Sequence, residues 1–332
     1  MIYTVTLNPT LDKTLSVPRL RPGEIHRARF IRQDVGGKGI NVSRALTALG
    51  IASRPIGFLG GATGQAMRNG LAALGYDAAF IEVTGETRQN LTLLDEATGV
   101  YTKINEPGPT VGPAHLAGLA DLVTSLARPA DLWAFCGSLP PGAPADFYAD
   151  LIAIVQKAGG LAFLDTSGPA LAAGLAARPY GIKPNSEEAA EALGRPVVSE
   201  EDHVAAAREL CQTSEVSADP SKGSGQAFGS LIVCLTRGVQ GLLLARGDEL
   251  VIAAPPPVAA ASPVGAGDAT LAGLLWATLE RCDAVETARR AVACGTAAAM
   301  QEGTGVGERA TVEELLLRVR LRLGVNATWQ RG

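Results

Sequence analysis

The sequence is short of the residues that build disulfide frameworks and zinc centres. Its five cysteines are an odd number, and none forms a C-x-x-C pair. That pattern argues against a disulfide scaffold and fits a reducing, cytoplasmic setting. Cys234 and Cys294 stand in apolar runs, where free cysteine packs as a small hydrophobe. The three histidines, His26, His115 and His203, have no mutual spacing that would hold zinc. His115 and His203 fall in polar, helix-like stretches and are expected on the surface. No apolar run is long enough to span a bilayer, and the N-terminus lacks a basic segment followed by an apolar one, so no membrane partner is expected. Basic charge is also scarce: the net charge of -4 gives no global field for nucleic acid. An anionic ligand would have to be met by a few local cations and by backbone N–H groups.

What is present is ordinary globular material. The 332 residues are 47% hydrophobic and 19% charged, ample for a sizeable core. Residues 2–7 read as a β-strand, 39–49 as a helix stopped by Gly50, 54–59 as a strand and 63–74 as a helix. Segments 14–34 and 88–104 are polar and strand-like; the first is interrupted by Pro18 and Pro22, and the second turns at Thr98-Gly99. From 131 to 212 strands and helices alternate, the mark of βαβ units around a parallel sheet. Strands return at 230–235, 241–245 and 249–253, and the chain then reads as mostly helical from 266 to about 323. The expectation is one α/β domain over residues 1–325, doubly wound around a mostly parallel sheet with helices on both faces. A small β-sheet lid would come from about 12–34 and 88–105. The Ser/Gly-rich stretch 214–229 reads as a flexible insertion.

Three segments carry chemistry. In Ser262-Pro263-Val264-Gly265-Ala266-Gly267-Asp268 a Pro-bounded loop runs into small residues at the start of a helix. Such a terminus has unpaired N–H groups and the positive end of a dipole, so Gly265, Ala266 and Gly267 can cradle an anion. Asp268 stands beside it, where it can accept a hydroxyl proton. In Asp34-Val35-Gly36-Gly37-Lys38-Gly39-Ile40-Asn41 glycines and a lysine precede a helix; the spacing matches neither a Walker A loop nor a dinucleotide fingerprint. In Lys183-Pro184-Asn185-Ser186-Glu187-Glu188 a strand ends and a helix begins. Lys183 can meet phosphate oxygens, and Asn185 and Glu188 can orient waters of Mg²⁺; plain N-capping is the competing reading.

Together these segments resemble the ribokinase, or phosphofructokinase-B, family of sugar kinases over residues 1 to about 310. GGKGINVSRALTALG is similar to its N-terminal signature, SPVGAGDATLAGLLWA to its C-terminal one, and KPNSEE to its metal-linked N-x-x-E motif. TLNPTLDKT, ETRQNLTL, INEPGP, CGSLPPG and DTSGPAL resemble the hexose-phosphate branch. The resemblance implies a ribokinase-like fold and phosphoryl transfer from ATP with Mg²⁺ to a ketohexose phosphate. Fructose 1-phosphate is the first expectation; tagatose 6-phosphate and fructose 6-phosphate stay open. It implies that Asp12, Gly36, Gly37 and Asn41 hold sugar hydroxyls, and that Arg27, Lys38, Arg88 and Ser138 surround the phosphate already on the sugar. Arginine's planar fork suits phosphate oxygens. On the nucleotide side it implies Lys183, Asn185, Thr236, Gly238 and Gly241, with adenine between the 254–260 loop and the helix of Cys294 and Ala297. Arg237 and Ala269 depart from the usual family residues. Exposed edges of the lid strands point to a homodimer. A non-catalytic sensor on the same fold is the alternative of another class, although it would not need Asp268.

Overall fold

The structure is a computed structural model that describes residues 1–212, 231–301, 303, 305–324 and 329–331. The stretch 214–229, expected to be a flexible insertion, lies outside the described residues. The chain opens with β1 (Ile2–Thr6), β2 (Thr10–Val17), β3 (Arg29–Gly36), α1 (Lys38–Ala48), β4 (Arg54–Leu59), α2 (Gly61–Ala73) and β5 (Ala79–Glu82). It continues through β6 (Arg88–Asp95), β7 (Tyr101–Asn105), α3 (Pro113–Leu126), β8 (Leu132–Cys136), α4 (Phe147–Lys157), β9 (Leu161–Asp165) and α5 (Gly168–Ala176). Then come β10 (Gly181–Ile182), α6 (Ser186–Leu193), α7 (Glu200–Gln212), β11 (Ile232–Thr236), β12 (Leu242–Arg246) and β13 (Glu249–Ala254). The chain closes with α8 (Ala266–Leu279), α9 (Ala284–Ala299), α10 (Arg309–Leu316), β14 (Arg320–Leu323) and β15 (Gln330–Arg331).

Two sheets result. The large one has 11 strands in the order β15-β14-β13-β12-β11-β10-β9-β8-β1-β4-β5. From β5 to β11 its pairs are parallel; β12 to β15 add antiparallel strands at one end. Strands β1 and β8 are buried along their whole length, as expected of parallel strands covered on both faces. Their side chains alternate between two cores. Tyr3, Val5, Trp133 and Phe135 join the cluster that also holds Tyr148, Leu151 and Leu210. Ile2, Leu132, Ala134 and Cys136 join the cluster with Leu46, Leu271, Leu275 and Ala291. This is the two-residue period of a strand read out on opposite faces.

The small sheet has the order β3-β2-β6-β7. Its central pair, β2 and β6, is parallel, although the strands are far apart in sequence. It is tied to the large sheet where β1 runs into β2 and where β3 runs into α1. Those two connections, together with the carboxyl ends of β8, β9, β10 and β11, put every chemistry-bearing segment on one edge of the large sheet. β1 has β4 on one side and β8 on the other, so strand order reverses there, the place where open α/β sheets form a binding crevice.

Three expectations need correction. The C-terminal region is not helical to 323: after α10 the sequence Arg320-Leu321-Arg322-Leu323 forms β14 and pairs with β13. Its apolar residues alternate every second position, a strand pattern that the preceding helical rhythm masked. Strand β5, between α2 and the hairpin, and helix α3, between the hairpin and β8, were not anticipated. His203 is buried, not on the surface. It sits on the inner face of α7 beside Val204, Ala206 and Ala207. Its Nε2 is 2.8 Å from Ser186 Oγ and its Nδ1 2.5 Å from the Ser199 carbonyl oxygen, which satisfies both ring nitrogens without water.

Candidate active site

Helix α8 begins at Gly265, which takes a left-handed conformation (φ 82°) that costs glycine little. The i→i−4 bond that opens the helix runs from Ala269 N–H to the Gly265 carbonyl. The N–H groups of Gly267 and Asp268 therefore point out of the helix end with no helical acceptor. A side chain on Gly267 would lie 3.4 Å from Lys183 Nζ, so an ammonium group stands beside this N–H cradle.

Asp268, in the first turn, is only 8% exposed. Its Oδ2 accepts a hydrogen bond from Asn41 Nδ2 at 2.8 Å. Burial pushes its carboxyl up to about 6, and the nearby charge of Asp165 pushes the same way; Asn41, Lys38 and Lys183 pull against them. A carboxylate whose proton affinity is raised towards neutral pH, next to a cradle for anions, suits a general base.

Asp165 ends β9 and is fully buried. Its Oδ1 accepts from Lys38 Nζ at 2.9 Å, and its Oδ2 lies 3.3 Å from Lys183 Nζ. The second approach is an ion-pair distance without good hydrogen-bond alignment, since Oδ2 has no hydrogen-bond partner among the described residues. Burial raises the Asp165 carboxyl, but Lys183 and Lys38 outweigh it and hold the group below its usual range. Lys38 also lies 3.7 Å from Glu188 Oε1. Burial opposes its charge, yet Asp165 and Glu188 raise its proton affinity, so it stays an ammonium.

On the small-sheet side, Asp12 Oδ1 accepts from Asn90 Nδ2 at 3.0 Å and from Thr10 Oγ1 at 3.3 Å. A side chain on Gly36 would fall 2.1 Å from Asp12 Oδ2; the glycine is what lets this carboxylate lie against the backbone. Gly37 has φ 121°, a conformation closed to other residues, and its missing side chain would press on Thr6. Arg88 donates from Nε to the Asn8 carbonyl at 3.1 Å and from a terminal nitrogen to the Glu106 carbonyl at 3.4 Å. Four buried oxygens in this region, Thr6 Oγ1, Asn8 Oδ1, Asn41 Oδ1 and Asn90 Oδ1, have no hydrogen-bond partner among the described residues. Buried polar atoms are nearly always paired, so this region has spare capacity for a ligand rich in hydroxyls.

Beyond Asp268 a cleft of about 960 Å³ runs over the carboxyl ends of β10 and β11. It is lined by Lys38, Asp165, Lys183, Asn185 and Glu188 at one end, and by Thr236, Gly238, Gly241 and the Pro255–Val258 loop further along. From α9 the lining residues are Val292, Gly295, Thr296 and Ala299. Cys294 and Ala297, the residues expected there, turn instead into the core, 3% and 0% exposed. A smaller hollow of about 440 Å³ opens at the opposite edge of the sheet, around Tyr180 and Cys282. It contains none of the converging groups, so the chemistry belongs to the larger cleft.

The remaining expected residues are less central. Asn185 and Glu188 form a reciprocal capping box at the start of α6: Glu188 N–H donates to Asn185 Oδ1 at 2.8 Å, and Asn185 N–H to Glu188 Oε2 at 2.9 Å. The capping reading is therefore physically realised, while Glu188 still borders the cleft. Ser138 is exposed just past the end of β8, and Arg27 is exposed on the loop joining β2 to β3. Arg237 turns away and pairs with Glu200 at 3.3 Å, a carboxylate also held by Arg322. Ala269 is packed in the core. The expectations missed Asp165, although a carboxylate ending the apolar strand LAFLD at the carboxyl edge was a usable signal. They also missed Arg320, which reaches the cleft from β14.

The fold and the site together define a phosphotransferase of the ribokinase-like class. The chain belongs to the pfkB family of carbohydrate kinases, whose family pattern matches residues 6–310. It is 40% identical over 293 residues to the 1-phosphofructokinase of Rhodobacter capsulatus, covering 88% of each chain. It is 30% identical over 307 residues to the tagatose-6-phosphate kinase of Staphylococcus epidermidis, covering 92% of this chain and 94% of that one. The tetrameric inhibited form of phosphofructokinase-2 from Escherichia coli superposes with a TM-score of 0.85 at 30% identity, covering 95% of this chain and 97% of the other.

Proposed function

We propose that this protein transfers the γ-phosphoryl group of ATP to a primary hydroxyl of fructose 1-phosphate, giving fructose 1,6-bisphosphate and ADP. The observation that carries the reading is the Asn41–Asp268 pair, a carboxylate of raised proton affinity beside the N–H cradle of α8 and Lys183. The sugar lies against Asp12, Gly36, Gly37 and Asn41, where the unpaired buried oxygens accept its hydroxyls. Arg88 and Lys38, with Ser138 and Arg27 from the surrounding loops, supply the polar field for the phosphate already present. The hydroxyl oxygen attacks the γ-phosphorus, the bond from that phosphorus to the β,γ-bridging oxygen breaks, and the hydroxyl proton passes to Asp268. The cradle N–H groups and Lys183 stabilise the charge that develops on the transferred group.

ATP lies along the cleft, its phosphates near Gly265–Gly267, Lys183, Asn185, Thr236, Gly238 and Gly241, and its base against Pro255–Val258 and α9. Among the described residues no cluster of three or more His, Cys, Asp or Glu side chains could cage a metal. The residues fit Mg²⁺ carried by the phosphates, with Glu188 and Asn185 reaching its waters. Bound there, the ion would neutralise phosphate charge.

A coupled assay of ADP release tests the reading with fructose 1-phosphate, tagatose 6-phosphate, fructose 6-phosphate and ribose, each with MgATP. Preference for fructose 1-phosphate is expected. A stronger response to tagatose 6-phosphate or fructose 6-phosphate would reassign the substrate within the family, and inertness towards all four would remove the kinase reading.

A further inference from the structure

We propose that Asp165 is a positioning residue for phosphoryl transfer: its two carboxylate oxygens fix Lys38 and Lys183 as a cation pair beside Asp268. The inference rests on the proposed kinase reaction. Lys38 starts α1 and Lys183 follows β10, so these cations come from separate elements and have no direct means of keeping their relative places. Asp165 supplies it. The carboxylate is fully buried, Oδ1 is 2.9 Å from Lys38 Nζ, and Oδ2 is 3.3 Å from Lys183 Nζ. Two long, flexible side chains are thereby held in one geometry around a buried carboxylate at the wall of the cleft, so their charge is preorganised before a substrate arrives. Lys183 borders the N–H cradle through Gly267, and Lys38 borders Gly137 at the end of β8. The clamp thus spans from the cradle towards the small-sheet side.

Asp165 also faces the base electrically. The charged and titratable groups around Asp268 are Asp165 from β9, Lys38 from α1, Lys183 from the end of β10, and Cys136 from β8; Asn41 of α1 adds its hydrogen bond. Burial, followed by the charges of Asp165 and Asp268, keeps the Cys136 thiol protonated, so it adds no charge. Removing Asp165 takes away a negative neighbour and leaves both lysines unneutralised. Both changes favour the ionised form of Asp268.

The test is Asp165→Asn, nearly the same shape without the charge. Turnover is expected to fall roughly a hundredfold, the scale of losing preorganised electrostatic groups. The acid limb of the kcat/KM profile should move to lower pH by about half a unit or more. A loss of turnover with the limb unmoved would mean a purely structural role, and wild-type turnover would leave no role at all; either overturns the proposal. Folding is checked by a cooperative melt. Should the variant not fold, Lys38→Met reads the same coupling in reverse, because losing a neighbouring cation must move the limb to higher pH; an unmoved limb there also overturns it. Titration of the Asp268 carboxyl by ¹³C NMR in the free protein gives the shift without turnover. Wild-type inertness would count against the kinase reading, whereas an Asp268 carboxyl that titrates alike in wild type and Asp165→Asn would count against the clamp.

Discussion

A residue earns its place in this site through the charge it is forced to keep or give up. Asp268 is buried with another carboxylate nearby, and its proton leaves near pH 6 instead of near 4. A base works only when deprotonated, so kcat/KM should fall as pH drops through about 6 and level off above it, measured with protein shown to stay folded. Asp268→Asn should lower kcat by roughly a hundredfold or more while nucleotide binding persists. The same raised pKa makes a stability statement of known sign. A carboxyl whose folded value exceeds its unfolded one contributes stability below pH 4, and that contribution is lost as pH rises through about 6. Asp268→Asn should therefore melt higher than the wild type at pH 8, by up to about 3 kcal/mol, and the difference should shrink at pH 5. Calorimetric melts at the two pH values check it; a gain that did not depend on pH would place its origin elsewhere. Arg88 is a different case, since its hydrogen bonds among the described residues go to backbone carbonyls. Arg88→Ala should mainly raise the KM for the sugar phosphate and leave that for ATP alone.

At the scale of elements, the site depends on how closely α8 and α9 approach. Helix α8 is buried all round from Asp268 to Ala277 because α1 packs on one side and α9 on another. The close approach is made at Gly273, where a methyl group would lie 2.7 Å from the Arg290 carbonyl and 2.8 Å from Ala291 Cα. Neither neighbour is a flexible side-chain end that could swing away. Gly273→Ala gains about 1 kcal/mol in helix propensity, but the overlap with backbone costs more, so a net loss of about 1–3 kcal/mol is expected in denaturant unfolding. Much of this layer was legible beforehand. The apolar run after GAGD could only be a helix, and the βαβ rhythm from 131 to 212 gave the parallel sheet. What escaped did so for identifiable reasons. Helix α3 has apolar residues on most sides, so its period was weak. Strand β14 is short and follows a helix without a glycine stop. His203 looked polar by type, yet two serine partners let it be buried. Asp165 offered only its place at the end of the apolar strand LAFLD, with no spacing motif, and its partners sit far away in sequence.

At the scale of the molecule, the division of labour between two sheets makes the assembly testable. The small sheet carries Asp12 and Arg88, the groups proposed for the sugar phosphate; the large cleft, proposed for the nucleotide, belongs to the large sheet and its helices. The small sheet is four strands wide and bears Phe30, Ile31, Tyr101 and Ile104 with 57%, 43%, 59% and 51% of their surface exposed. Apolar side chains concentrated on strands with open edges invite pairing with a second copy. A homodimer through this sheet is the expected state, with a solution mass of two chains by light scattering. Phe30→Glu together with Tyr101→Glu should bring the mass to one chain, because like charges buried across a two-fold interface repel. If pairing also steadies the small sheet over the site, that monomer should show a raised KM for the sugar phosphate and a nearly unchanged KM for ATP. A parallel loss of both would mean that the substitutions disturb the large sheet as well, and a variant that stays dimeric would move the interface to another face.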